Sequence, residues 1–136
     1  YICGRLRRGV LARMLDEYGC NKLALGHHMD DAVETFYMNL LYNGKLGSFS
    51  PNSINTNNNI STIRPLIYVK ENTIIRVVKN EGLPICDYNC KFKDSTKRAE
   101  IKRMILGLEN TYEDIREKTI TSLKNMNEDN FWIEIK

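Results

Sequence analysis

The architecture of this chain is set by residues 23–35, which read Leu-Ala-Leu-Gly-His-His-Met-Asp-Asp-Ala-Val-Glu-Thr. A short apolar run stops at Gly26, and histidines and aspartates follow before an amphipathic helix begins. Polar groups between the carboxyl end of a strand and a helix are typical of the ligand site of an open α/β sheet. We therefore expect Gly26, His27 and His28 to lie at the nucleotide-binding edge of an enzyme.

The rest of the chain alternates helical and extended patterns. Apolar residues recur at three- and four-residue intervals in the segments that we predict to be helical. These helices are predicted at residues 4–18, 31–43, 70–80, 94–106 and 110–125. A buried strand is predicted at 20–26, a loop at 43–59, an extended segment at 60–67, and a short strand or hook at 131–133. On the last helix, Tyr112, Ile115, Thr119 and Leu123 are expected to share the apolar face.

Length and composition indicate one ordinary globular domain. The chain has 136 residues, of which 42% are hydrophobic and 27% charged, and its net charge of +3 is too small to identify a partner. No apolar stretch is long enough to cross a bilayer, and no secretory signal is visible, so we expect a cytoplasmic protein without a membrane partner. Because the chain begins at Tyr1, inside a motif, we expect it to be a fragment.

The adjacent carboxylates Asp30 and Asp31 are the candidate catalytic residues. Hard oxygen ligands at a strand end can hold Mg²⁺ together with a phosphate, and either carboxylate could instead orient a nucleophile. The alternative is structural, because two aspartates in a first turn can cap a helix without any further role. His27 and His28 point in different directions on a regular backbone, so one is expected to contact a nucleotide or phosphate and the other a backbone carbonyl.

Three cysteines are the candidate metal ligands. Cys86 and Cys90 are separated by three residues, and one such pair cannot fill a site of four ligands. Cys3 is a candidate third thiolate from a distant segment. Three thiolates can hold an iron–sulfur cluster and leave one iron open to bind an external sulfur.

A basic run lies beside Cys3. It contains Arg5, Arg7 and Arg8. A guanidinium is planar and always charged, which suits it to phosphate and nucleic-acid recognition. The alternative is that the run forms a solvated helix face.

Four motifs together resemble the tRNA 2-thiocytidine synthetase family, whose members are PP-loop ATPases that replace an oxygen of a tRNA cytidine with sulfur. The motifs are Cys3-Gly4-Arg5-Leu6-Arg7-Arg8-Gly9, Gly26-His27-His28-Met29-Asp30-Asp31, Arg64-Pro65-Leu66 and Pro84-Ile85-Cys86. Their order matches the family. The resemblance covers residues 1–106 and leaves 107–136 as a helical tail.

The resemblance implies an α/β fold: a doubly wound parallel sheet with flanking helices and additional carboxyl-terminal helices, in a single domain. It implies adenylation of the target base by ATP with Mg²⁺, and sulfur delivery through a [4Fe-4S] cluster. Cys3 and Cys86 match the family's cluster cysteines, and Cys90 matches a further one with one extra residue of spacing. Asp30 and Asp31 match its acidic pair, and Arg5, Arg7 and Arg8 match its basic segment. The expected partners are tRNA and a sulfur donor such as a cysteine desulfurase. Separately from the resemblance, the apolar carboxyl-terminal helix and Trp132 would suit the partner surface of a homodimer.

The chain also departs from the family pattern. The PP-loop sequence Ser-Gly-Gly-x-Asp-Ser is absent from these residues, and the first cysteine of the family's Cys-x-x-Cys pair would precede Tyr1. We therefore expect this chain to be inactive alone. Two alternatives stay open: a related PP-loop enzyme that acts on another nucleobase, and a non-catalytic, metal-stapled module that binds nucleic acid.

Overall fold

The computed structural model describes residues 2–55, 60–86 and 96–127, and gives only the backbone of 2–5 and 55. The elements are α1 (Ile2–Glu17), β1 (Lys22–Ala24), α2 (Met29–Asn43), β2 (Asn52–Asn55), β3 (Ile60–Ile63), α3 (Glu71–Asn80), α4 (Lys97–Glu109) and α5 (Ile115–Lys124). The predicted α/β class is confirmed. The described residues of Tyr1–His27 and Ser50–Ile67 form one compact unit, and those of His28–Phe49 and Tyr68–Lys136 form another. The apolar tail at 131–133 lies outside the described residues.

The first unit contains a small mixed sheet in the order β1-β3-β2. The central strand β3 runs parallel to β1, with Thr62 opposite Leu23, and antiparallel to β2, with Thr62 opposite Ser53. The prediction of a loop throughout 43–59 was wrong, since β2 lies within it. The sequence of β2, Asn-Ser-Ile-Asn, has no apolar alternation, so the strand depends on its pairing with β3.

The apolar residues of the first unit are less buried than their pattern predicts. Leu6 is 66% exposed and Val10 45% exposed, whereas Leu15 is buried. The prediction of a buried first strand was also wrong: Leu23 is half-buried and both of its neighbours in β1 are exposed. Among the described strands, β1 pairs with β3 only and therefore forms an edge of the sheet. Gly19, with φ of +60°, ends α1 in the left-handed conformation that glycine adopts readily.

The second unit has the larger core. Helix α2 packs against α4 and α5. The largest fully buried apolar side chains in this core are Val33, Ile101 and Ile105, each at most 2% exposed. Full burial of such a side chain stabilises the fold by about 1.5–3 kcal/mol. Helix α2 is thereby held against two other helices.

Glycine and threonine set the helix ends of this unit. Helix α2 ends at Gly44, whose φ is +58° and whose N–H donates to the Asn39 carbonyl. Helix α4 begins after Thr96, whose hydroxyl accepts a hydrogen bond from the Ala99 N–H at 3.3 Å. Across 2–55, 60–86 and 96–127, no helix has both the length and the apolar character that crossing a bilayer requires.

Candidate functional site

The predicted ligand segment runs from the end of β1 into the first turn of α2. Gly26 and His27 belong to the first unit, and His28, Asp30 and Asp31 belong to the second. Gly26 is exposed, the two histidines are half-buried and Asp30 is buried. The chain therefore passes from a solvent-accessible turn into the core within a few residues.

In the first unit, His27 is held by an arginine that follows β3. The Nε of Arg64 donates to His27 Nδ1 at 3.2 Å, and its Nη1 donates to the Ser50 carbonyl at 2.6 Å. Burial lowers the pKa of Arg64, but a guanidinium remains charged in proteins. Arg64 belongs to the Arg64-Pro65-Leu66 motif, but no local sequence pattern pairs it with His27, because the two residues are 37 positions apart.

In the second unit, His28 begins α2. Its backbone is extended, and its N–H donates to Asp31 Oδ2 at 3.1 Å. This is the contact by which an acidic residue in the first turn satisfies a helix amino terminus. The imidazole lies close to both carboxylates, with Nδ1 3.7 Å from Asp30 Oδ2 and Nε2 3.4 Å from Asp31 Oδ2. Asp31 thus has the capping role that the structural alternative proposed.

Asp30 links the start of α2 to two other helices. Its Oδ2 accepts a hydrogen bond from the Glu71 N–H at 2.7 Å, and its Oδ1 lies 2.7 Å from Nη1 of Arg116. Arg116 is 5% exposed and also donates two hydrogen bonds to Glu109, from Nε at 2.6 Å and from Nη2 at 3.1 Å. Burial lowers the pKa of Arg116, but the bonds to Glu109 and the Asp30 charge outweigh it and raise the pKa overall. Asp30 therefore holds α3 and α5 against α2.

Helix α4 places a second arginine over the acidic first turn. The Nη1 of Arg98 donates to Asp31 Oδ1 at 2.9 Å, its Nη2 donates to the Thr35 hydroxyl at 3.1 Å, and its Nε lies 3.6 Å from Glu34 Oε2. Glu34 is 4% exposed. Burial raises the pKa of Glu34, and Arg98 and Lys102 oppose this rise only in part. The amino-terminal part of α2 is thus an acidic cluster balanced by arginines from α4 and α5.

These contacts bear on the predicted magnesium site. The carboxylate oxygens of Asp30 contact Arg116 and the Glu71 N–H, and those of Asp31 contact Arg98 and the His28 N–H. A magnesium ion would have to replace cationic and N–H partners at these oxygens. Within the described part of the chain, no group of three or more His, Cys, Asp or Glu side chains is placed to hold a metal. The pair does not fit a magnesium ion in this arrangement.

The remaining candidate residues lie elsewhere. Cys86 is a free, exposed thiol that follows α3. Cys3 is in α1, where only its backbone is described, and Cys90 lies outside the described residues. Arg7 and Arg8 are exposed on α1, and Arg5 is described by its backbone alone. The proposed cluster and nucleic-acid contacts stay predictions.

Comparison with known proteins identifies related sequences. The family model for the PP-loop domain matches residues 3–109. The chain is 41% identical over 127 residues to a tRNA-cytidine(32) 2-sulfurtransferase of Pelobacter propionicus, covering 92% of this chain and 47% of the relative. It is 36% identical over 126 residues to the protein of the same name from Aeromonas hydrophila, covering 92% and 42%. The chain spans about half the length of these relatives.

A solved structure shares the fold. It is the U34-tRNA thiolase NcsA from Methanococcus maripaludis with its [4Fe-4S] cluster. The TM-score is 0.61 at 24% sequence identity, over 92% of this chain and 44% of that chain. At this identity the likeness establishes the fold of the chain and nothing about its chemistry.

Proposed function

Because the chain belongs to the PP-loop domain family, we propose that it is part of an ATP-dependent enzyme that replaces an oxygen of a tRNA cytidine with sulfur. The observation that carries this proposal is the identity of 36–41% across 92% of the chain to proteins named tRNA-cytidine(32) 2-sulfurtransferase. Since the chain spans about half of those relatives, the activity belongs to the whole protein. The reaction takes place in the cytoplasm, where tRNA is modified.

The chemistry requires activation of a poor leaving group. The carbonyl oxygen of the base attacks the α-phosphorus of ATP and releases pyrophosphate, and AMP later leaves when sulfur replaces that oxygen. In this scheme Gly26 and the half-buried His27 contact the nucleotide. Asp31 is the more accessible of the two candidate carboxylates, since its side chain is 19% exposed against 8% for Asp30. Asp30 positions the turn through Arg116.

Arginines and cysteines are assigned the two remaining roles, tRNA binding and cluster ligation. Arg5, Arg7 and Arg8 bind tRNA phosphates, and the exposure of Arg7 and Arg8 on α1 supports this role. Cys3, Cys86 and Cys90 are the proposed cluster ligands, and the exposure of the Cys86 thiol supports its accessibility. When bound, a [4Fe-4S] cluster with three thiolate ligands supplies an open iron that carries sulfur. The sulfur comes from a donor such as a cysteine desulfurase, and the enzyme functions as a homodimer.

The proposal is tested by expressing the gene that encodes this chain in a bacterium that lacks 2-thiocytidine. Digested tRNA is analysed for thionucleosides by mass spectrometry. We expect 2-thiocytidine to appear, Cys86→Ser to abolish it, and Cys20→Ser to leave it unchanged, because Cys20 is also an exposed free cysteine but belongs to none of the four motifs.

Other outcomes would overturn the proposal. The appearance of 2-thiouridine instead would show that the enzyme acts on another nucleobase. Retained tRNA binding with no thionucleoside would favour the non-catalytic module.

A further inference from the structure

We propose that Arg64 is a positioning residue that fixes the tautomer of His27, so that the imidazole carries its proton on Nε2 and donates a hydrogen bond from Nε2–H to a nucleotide phosphate. The part that concerns the nucleotide rests on the proposed function. The part that concerns the tautomer rests on the geometry of the first unit alone. Arg64 belongs to the Arg64-Pro65-Leu66 motif, for which the family resemblance implied no role.

The hydrogen-bonding capacity of the two side chains determines the tautomer. A guanidinium has only donors, so the 3.2 Å contact from Arg64 Nε requires a lone pair on His27 Nδ1. A neutral imidazole has one N–H, and if Nδ1 is the acceptor the proton must be on Nε2. A donor at Nε2 suits an anionic acceptor such as a phosphate oxygen.

The backbone explains why these side chains meet. In the parallel pair, Ala24 of β1 lies opposite Ile63 of β3, and the Leu25 N–H donates to the Ile63 carbonyl at 2.9 Å. The strand pairing thus brings the residues after β1 beside the residue after β3. Because Pro65 follows, Arg64 is kept out of the helical region, which favours continuation of the extended backbone.

The guanidinium is also held from its other side. Its Nη1 donates to the Ser50 carbonyl at 2.6 Å, and the Arg64 N–H donates to the Pro51 carbonyl at 2.9 Å. A rigid fork can satisfy Ser50 and His27 at once, whereas a lysine ammonium is a single point of charge. The arrangement therefore orients the imidazole as well as setting its tautomer.

The tautomer is read directly by nitrogen-15 NMR on the protein that this gene encodes. His27→Gln and His28→Gln assign the imidazole signals of the two histidines in this chain by their disappearance. We expect His27 to show a protonated Nε2 and an unprotonated Nδ1. Arg64→Met should abolish this fixed pattern, and Arg64→Lys, which keeps a donor, should largely retain it. His28 is the internal control, because its neighbours are Asp30 and Asp31 and its signals should not respond to Arg64.

Two results would overturn the positioning role. The first is a protonated His27 Nδ1 in the wild-type protein. The second is an unchanged His27 pattern in Arg64→Met, provided that the amide spectrum of this variant shows β1 and β3 intact. ATP tests the nucleotide part separately. A shift of the His27 Nε2 proton on addition of ATP supports that part, and an unchanged signal overturns it. In the second case, continued formation of 2-thiocytidine would show that the proposed function still holds.

Discussion

Replacement of Arg116 by methionine is the sharpest test of how the acidic turn is held. Arg116 neutralises Asp30 inside the second unit, where the two side chains are 7% and 8% exposed. Removing one member of a buried ion pair leaves an uncompensated charge and costs about 3–5 kcal/mol. Such a loss is a large part of the roughly 5–15 kcal/mol that stabilises a typical domain. We therefore expect Arg116→Met to lower the free energy of unfolding by about 3–5 kcal/mol, measured by urea denaturation followed by circular dichroism.

Two further variants make the result interpretable. Lys118→Met removes an exposed positive charge from the same helix and should change the unfolding free energy by less than about 0.5 kcal/mol. Arg116→Lys keeps the charge but loses the guanidinium that contacts both Glu109 and Asp30. Its unfolding free energy should therefore fall by less than that of Arg116→Met, and it can still be measured if the methionine variant does not fold. A decrease of less than about 1 kcal/mol in the unfolding free energy of Arg116→Met would refute the reasoning, because it is too small for the loss of one member of a buried ion pair.

The remaining predictions concern Glu34 and Gly44. Burial raises the pKa of Glu34, so the folded state holds its proton more tightly and stability falls as pH rises from the ordinary value of 4.5 through the raised pKa. Glu34→Gln removes this titration. In thermal unfolding, the stability of the variant relative to wild type should increase with pH across that window, and a decrease would contradict the raised pKa of Glu34. Gly44→Ala should cost about 1–2 kcal/mol because φ is +58°, whereas Gly107→Ala, inside α4, should stabilise by about 0.5–1 kcal/mol. Urea denaturation compares the two variants, and changes of the same sign would contradict this account.

The helices could be predicted from sequence because their signals are local. The apolar periodicity predicts helices α2 and α3. Helices α1 and α2 each end shortly before a glycine that adopts a positive φ. Strand β2 could not be predicted in this way, because its sequence has no apolar alternation and, of its four residues, only Ile54 has high strand propensity. Its extended backbone comes from pairing with β3, which only the folded sheet reveals. The resemblance drawn from four motifs is confirmed by the names of the relatives.

The ligand segment could be located from sequence, but its supporting arginines could not. Arg64 and Arg98 contact residues 37 and 67 positions away, and no local pattern pairs them. On α5 the predicted apolar face was wrong in part: Tyr112 precedes the helix and is 59% exposed, and Arg116 is buried beside Thr119 and Ile120. An arginine is normally predicted to be exposed, and it is buried here because Asp30 and Glu109 compensate its charge.

The contacts of Arg116 also show that the residues needed to hold the acidic turn of α2 extend beyond the region that the family model matches. The match ends at residue 109, which is Glu109, whereas the charge that balances Asp30 comes from Arg116 on the following helix. Asp30 in turn fixes the first residue of α3 through the Glu71 N–H. A carboxylate buried to this degree is tolerated only with a paired cation, since an unpaired one would cost several kcal/mol. Helix α5 is therefore required to hold the acidic turn of α2 and is not an accessory to it.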